Sequence, residues 1–333
     1  MAVIAKTRET YPALGPGRAT PPGGIREDLS DIIYNIAPED TPFMSAIGKD
    51  ACDNTYFEWQ TDTLADPVAN RQAEGTDPQE LSAHAEPLRV GNYTQISSKA
   101  IRSSGTAEAV DFAGRKSTQA YQMAKKGKEL KLDMESMLLG LDVMAAGSSA
   151  SARATAGVGA WIHTNLVNAT AGTTPGKDAP TPGADKAVAE DDIREAMKMC
   201  WDAGASPTVI MCDGAIKQAI SALSQSVSEL RTAANDKSPA YVVAAVDIYV
   251  SDFGNLQIVP NRLMPAKTAY LLDYEFWSTT YLRPFNSVDL AKTGDSMAQM
   301  LITEYGLRSK NEVANAAIHG WDPAMEEASA GAV

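Results

Sequence analysis

Histidine and cysteine are scarce in this 333-residue chain, with three of each. His84, His163 and His319 fall in three different segments, so no local pair can chelate a metal. Cys52, Cys200 and Cys212 are an odd, widely spaced set without a C-x-x-C pair, as expected of reduced thiols in a cytosolic protein. No run of about 18 apolar residues is present, which excludes a membrane-spanning helix. Residues 1–24 have no apolar h-region, so no secretory signal is read. Base is also in deficit. Twenty-nine Lys and Arg stand against 42 Asp and Glu, a formal net charge of −13, which argues against a nucleic-acid reader.

Catalytic motifs are missing as well. There is no H-E-x-x-H, no Walker A loop and no G-x-G-x-x-G following a strand. The stretch Gly294 to Ala298 approaches a nucleophile elbow, but its Ser296 precedes a strand pattern and reads as a turn. Asp191 and Asp192 open a helix, where acids favour the dipole. A two-carboxylate hydrolase stays open, because 42 acids offer many pairs and nothing singles one out. The expectation is a protein with no reaction to perform and no cofactor.

Apolar residues make up 44 % of the chain, typical of folded domains, and the length allows roughly two domains at about 150 residues each. The charge is uneven. Residues 50–90 carry nine acids, among them Asp62, Asp66 and Glu74, against Arg71 and Arg89, a net −7; residues 311–333 carry four acids and no base. Such a bias marks either a solvated face or a surface for a basic partner.

Residues 1–24, rich in Pro and Gly, form no core of their own and read as an extended arm. Leu29, Ile32, Ile33 and Ile36 share one face of a predicted helix over 25–37, stopped by Pro38. Residues 41–48 read as an apolar turn that plugs into a neighbouring surface. Strand-like patterns at 55–61 and 88–98 enclose a polar stretch broken by Pro67, Gly75 and Pro78, which predicts a protruding hairpin. Residues 106–146 repeat Met123, Leu130, Met134, Met137, Leu141 and Met144 at helical spacing, with Gly147 as terminator. A helix of about 40 residues would be roughly 60 Å long, more than a compact domain needs. Its bases include Arg115, Lys116, Lys125, Lys126 and Lys128. An amphipathic helix follows at 187–203, with Ile193, Ala196, Met197, Cys200 and Trp201 on its face and Gly204 at its end. Asp213 caps a further helix. Strands are predicted at 208–212, 246–250, 256–259, 269–272, 279–282, 299–305 and 312–318. The mixture is α+β.

The order of parts resembles the major capsid proteins of tailed phages, with the Hong Kong 97-like fold. Residues 25–48, IREDLSDIIYNIAPEDTPFMSAIG, and 57–64, FEWQTDTL, are similar to one capsid subgroup. The resemblance implies an N-terminal arm over 1–49, an extended E-loop hairpin over 50–105, and a P domain with a spine helix over 106–186. An A domain over 187–275 and a return to the P domain with a C-terminal tail over 276–333 complete it. It implies self-assembly as hexamers and pentamers into an icosahedral head around double-stranded DNA, with portal, scaffolding and decoration proteins as partners. Assembly is expected in the host cytoplasm and the final location in the virion, with no membrane and no sequence-specific nucleic-acid binding. Flexible arms and a jointed hairpin would let one chain occupy slightly different settings in a closed shell. The hairpin's Asp62, Asp66, Arg71 and Glu74 are expected to lie over Arg115, Lys116, Lys125, Lys126 and Lys128 of a neighbour's spine helix. An encapsulin-like compartment, with the same fold and an enzyme cargo, is the alternative shell.

Overall fold

The computed structural model describes residues 38–65, 67, 69, 71, 74–75, 86–110, 117–227, 246–292 and 294–325. The arm over 1–24, the helix over 25–37 and the acids Glu326 and Glu327 lie outside the described residues. In chain order the elements are α1 (Pro42–Ala46), β1 (Gly48–Ala51), β2 (Tyr56–Thr61), β3 (Leu88–Tyr93), β4 (Gln95–Ser104), α2 (Gly105–Ala109) and α3 (Thr118–Leu139). Then come α4 (Val158–Trp161), β5 (Leu166–Val167), β6 (Ala169–Thr170), β7 (Thr181–Pro182), α5 (Glu190–Asp202), β8 (Val209–Cys212) and α6 (Gly214–Val227). The chain finishes with β9 (Ile248–Ser251), β10 (Gly254–Pro260), β11 (Thr268–Leu272), β12 (Trp277–Asp289), β13 (Ser296–Ser309) and β14 (Ala316–His319).

Two larger sheets organise these parts. A six-stranded mixed sheet runs β5-β14-β11-β8-β10-β9, and a four-stranded sheet runs β1-β12-β13-β4. The six-stranded sheet is apolar on both faces, and its alternation divides the interior in two. Met211, Tyr270, Leu272 and Ala317 point to a core shared with α1, α3, Trp161, Trp277 and Tyr305. Ile210, Cys212, Ala269, Leu271 and Ile318 point to a second core against α5 and α6. The predicted face of α5 is buried through Cys200, but Trp201 departs from it and is 55 % exposed. Gly204 ends that turn at φ +85°, a conformation suited to glycine. Cys200 and Cys212 are buried free thiols, and burial pushes both up to about 12.

The long helix is shorter than its sequence pattern suggests. Among the described residues it becomes α2 and a 22-residue α3, which stops at Gly140 rather than Gly147. Tertiary contacts end it. Tyr270 donates its hydroxyl to the Leu139 carbonyl at 3.1 Å, and the Gly159 N–H donates to the Gly140 carbonyl at 3.2 Å. The next segment packs so close that a Cβ at Gly157 would stand 2.4 Å from the Gly140 carbonyl oxygen. Met144 therefore lies beyond the helix, and Gly147 serves a turn at φ +75°. The predicted strand over 312–318 likewise begins as a 3-10 turn at Glu312–Ala314, with β14 only from Ala316.

The apolar turn at 41–48 does plug into the core. Phe43, Met44 and Ile47 are buried, and Pro42 opens α1. Its first amides are met from α3. The buried Glu135 carboxylate accepts from the N–H groups of Phe43 and Met44, both at 2.8 Å, and from Asn261 Nδ2 at 2.8 Å. Burial raises the Glu135 pKa, and those three donors oppose the rise by stabilising the ionised form. Glu135→Ala leaves two buried amides and Asn261 without their acceptor. We expect a loss of about 3 kcal/mol, read as a lower denaturant midpoint of the unassembled subunit.

His319 is buried in β14, and burial pushes its imidazole from the ordinary value near 6.5 down to about 4. Between those values the unfolded chain binds the extra proton, so this histidine's contribution to stability falls as pH drops from about 6.5 to about 4. A His319→Gln variant should show a flatter dependence of unfolding free energy on pH across that window, by up to about 3 kcal/mol.

Candidate assembly surfaces

The predicted hairpin is present. Strands β2 and β3 pair antiparallel from Tyr56 opposite Tyr93 to Thr61 opposite Leu88. Every described residue between Asp62 and Pro87 is exposed, and Leu64 is 98 % exposed. The expected return strand over 88–98 is divided at Thr94: β3 belongs to the hairpin, and β4 pairs with β13 in the body.

The hairpin root is tightly held. The Phe57 ring lies on Gly306 of β13, where a Cβ would come within 2.6 Å of it. The Arg308 guanidinium sits 5.6 Å from the Phe57 ring centre and 6.0 Å from that of Trp59, and donates to Asp50 at 3.2 Å. Trp59 in turn packs against Trp161 at 5.3 Å. On the second leg, buried Asn92 donates to the Leu307 carbonyl at 2.7 Å and to Thr155 Oγ1 at 3.0 Å. It also accepts from the Ala156 N–H at 3.0 Å. The sequence reading placed Phe57 and Trp59 in a strand but passed over Asn92, Gly306 and Arg308, since a single such residue gives no sign of a distant partner.

Of the predicted contact residues, Asp62, Arg71 and Glu74 stand exposed on the hairpin, and none has an ion pair among the described residues. Asp66, Arg115 and Lys116 lie outside the described residues. On α3, Lys126 pairs with Glu129 at 2.6 Å and Lys128 with Glu39 at 2.7 Å, while Lys125 is exposed. Among the described residues, no ion pair joins the two predicted sets within one chain.

A second exposed surface lies at the far edge of the six-stranded sheet. Ile248 and Val250 of β9 are 61 % and 72 % exposed. Beside them Tyr249 donates to Glu190 at 3.0 Å, Arg194 pairs with Glu190 at 2.8 Å, and Trp201 packs on Phe253 at 5.4 Å.

The sparse chemistry-bearing groups are used structurally. Asp192 accepts from Lys186 and from the Trp321 indole, both at 2.7 Å. Ser296 begins β13 after the turn at Gly294, His163 contacts the Gly172 carbonyl, and His84 lies outside the described residues. Among the described residues, no group of three His, Cys, Asp or Glu side chains converges to hold a metal ion.

A family model described as the SU10 major capsid protein matches residues 6–322. The chain belongs to the SU10 major capsid protein family. The major capsid protein of Escherichia phage Phieco32 is 28 % identical over 330 residues, spanning 88 % of this chain and 93 % of that protein. Among solved structures, the capsid asymmetric unit of cyanophage A-1(L) aligns with a TM-score of 0.64 at 13 % identity, covering 89 % of this chain and 97 % of that one. The SrpI encapsulin complex of Synechococcus elongatus PCC 7942 aligns with a TM-score of 0.52 at 9 % identity, covering 89 % and 94 %. The fold is therefore the Hong Kong 97-like capsid fold, shared by phage heads and an encapsulin. Family membership separates the two: this is a structural capsid protein of a phage that assembles into capsid oligomers and resides in the virion.

Substituting Gly306→Ala drives a methyl group into the Phe57 ring. We expect a cost of about 1–3 kcal/mol, seen as a lower denaturant midpoint together with altered near-ultraviolet circular dichroism from the Phe57–Trp59–Trp161 cluster.

Proposed function

We propose that this chain builds the icosahedral head of a tailed phage from hexamers and pentamers and encloses double-stranded DNA. It does so without enzymatic activity of its own, assembling in the host cytoplasm. The observation that carries the assembly reading is the exposed hairpin, whose described residues beyond the last strand pair find no cover on their own chain. The hairpin lies across the α3 surface of a neighbour. The segments 1–49, 50–105, 106–186, 187–275 and 276–333 serve as arm, E-loop, P domain with spine, A domain, and return with tail. Portal, scaffolding and decoration proteins are the expected further partners. A net charge of −13 keeps the protein from adhering along packaged DNA, since phosphate is repelled rather than neutralised.

The charged contact proposed for Asp62, Asp66, Arg71 and Glu74 against Arg115, Lys116, Lys125, Lys126 and Lys128 is the weaker part of the docking. Lys126 and Lys128 already have acidic partners, so docking exchanges one exposed pair for another. Exposed pairs contribute only about 0–1 kcal/mol each. Burying a leucine contributes about 1.5–3 kcal/mol, so Leu64 anchors the hairpin and the charges set its register. Negative-stain microscopy of the expressed protein should reveal shells or capsomers. Leu64→Asp should reduce them at least roughly tenfold, the weight of a lost leucine contact, whereas Lys125→Glu changes the yield little. A parent protein that stays monomeric at high concentration, with and without scaffold and portal, would refute the assembly reading.

A further inference from the structure

Thr94 is the single residue between the hairpin and the body, and it is fully buried. Its N–H donates to the Thr55 carbonyl at 2.8 Å, which ties the two legs of the hairpin together. Its hydroxyl donates to Glu304 Oε1 at 2.9 Å. Glu304 is itself buried on β13 and is gripped from two other directions. Arg153, from the segment after α3, donates to Oε1 at 2.6 Å, and Arg283, opposite Glu304 on β12, donates its Nε–H to Oε2 at 2.8 Å. Strand β12 is irregular on both sides of Arg283, next to Pro284, whose missing N–H interrupts the ladder.

An ionic cluster around a buried carboxylate is an uneconomical way to stabilise a strand junction, since apolar residues of similar volume often do as well or better. What it adds is direction. Apolar surfaces slide over one another, whereas hydrogen bonds weaken steeply away from their preferred angle. Three chain segments converge here on the two oxygens of a carboxylate carried by a fourth, so the angle between β3 and β4 is set from several sides at once. We propose that Glu304 with Thr94, Arg153 and Arg283 is a rigid joint that fixes the direction in which the hairpin leaves the body, and through it the curvature at which neighbouring copies meet. These are positioning residues, which act through the direction of the hairpin. The inference rests on the hairpin reading above.

Two variants test the joint. Thr94→Val keeps the shape and removes only the hydroxyl, and Thr94→Ser restores the hydroxyl. Thr94→Val should leave the denaturant midpoint of the unassembled subunit within a few tenths molar of the parent, while parent-diameter shells fall at least about fivefold, the weight of one hydrogen bond. Cryo-electron microscopy should then reveal shells of mixed diameter and open sheets, and Thr94→Ser should return the parent distribution. Arg283→Gln, at a side chain half exposed to solvent, gives the same broadening should Thr94→Val not fold. Parent-sized shells at parent yield from Thr94→Val, or from Arg283→Gln in its place, overturn the joint. So does a fall in yield matched by a fall in midpoint that Thr94→Ser fails to relieve. Leu64→Asp separates the two readings. If it blocks assembly while Thr94→Val assembles like the parent, the joint alone is wrong. If Leu64→Asp assembles like the parent, the hairpin reading fails and the joint falls with it.

Discussion

One buried carboxylate holds three parts of this chain at a single point. Glu135 projects from α3, receives the first amides of α1 and takes the side-chain amide of Asn261. No cation neutralises it among the described hydrogen-bonding partners; oriented N–H dipoles do that work, as at a helix N-terminus. The consequence is positional. The short α1 could not form alone, because five residues cannot nucleate a stable helix in water. Held at Glu135, it drives Phe43, Met44 and Ile47 into the core that joins α3 to one face of the six-stranded sheet. The shared core in turn fixes where α3 ends, because Tyr270 of that sheet takes the carbonyl of Leu139.

The same device recurs at the hairpin root, with a different outcome. Glu304 is held by two arginines and a hydroxyl rather than by amides, and Asn92, two residues before Thr94, bonds two body segments, at Thr155–Ala156 and at Leu307. Together with the Phe57, Trp59 and Arg308 stack, this makes the base of the hairpin part of the body. Among the described residues between Thr61 and Leu88, every one is exposed. The docking proposed above takes up those exposed residues on another copy.

The acidic balance acquires a location in this setting. Much of it sits on the exposed hairpin, where Asp62 and Glu74 are solvated, and some of it is internal and structural. Glu135, Asp192 and Glu304 are buried and satisfied by hydrogen bonds. The scarce histidines and cysteines follow the same division: His319, Cys200 and Cys212 are packed in the interior, and burial shifts each toward its uncharged form.

Features that depend on neighbours a few residues away were legible in the linear chain. The period of Ile193, Ala196, Met197 and Cys200 made α5 legible, the continuous apolar runs at 208–212 and 269–272 located buried strands, and two strand patterns around a polar stretch announced the hairpin. Segment order and the quoted runs at 25–48 and 57–64 carried the capsid resemblance. Tertiary structure alone decided where α3 stops, that Trp201 faces solvent, that the hairpin's return strand breaks at Thr94, and that its root is locked. The reason is separation along the chain. Phe43 and Glu135 are 92 residues apart, Thr94 and Glu304 are 210 apart, and Asn92 and Leu307 are 215 apart. Periodicity reports the faces of an element, but the partner that satisfies a buried carboxylate or amide exists only once the elements have met.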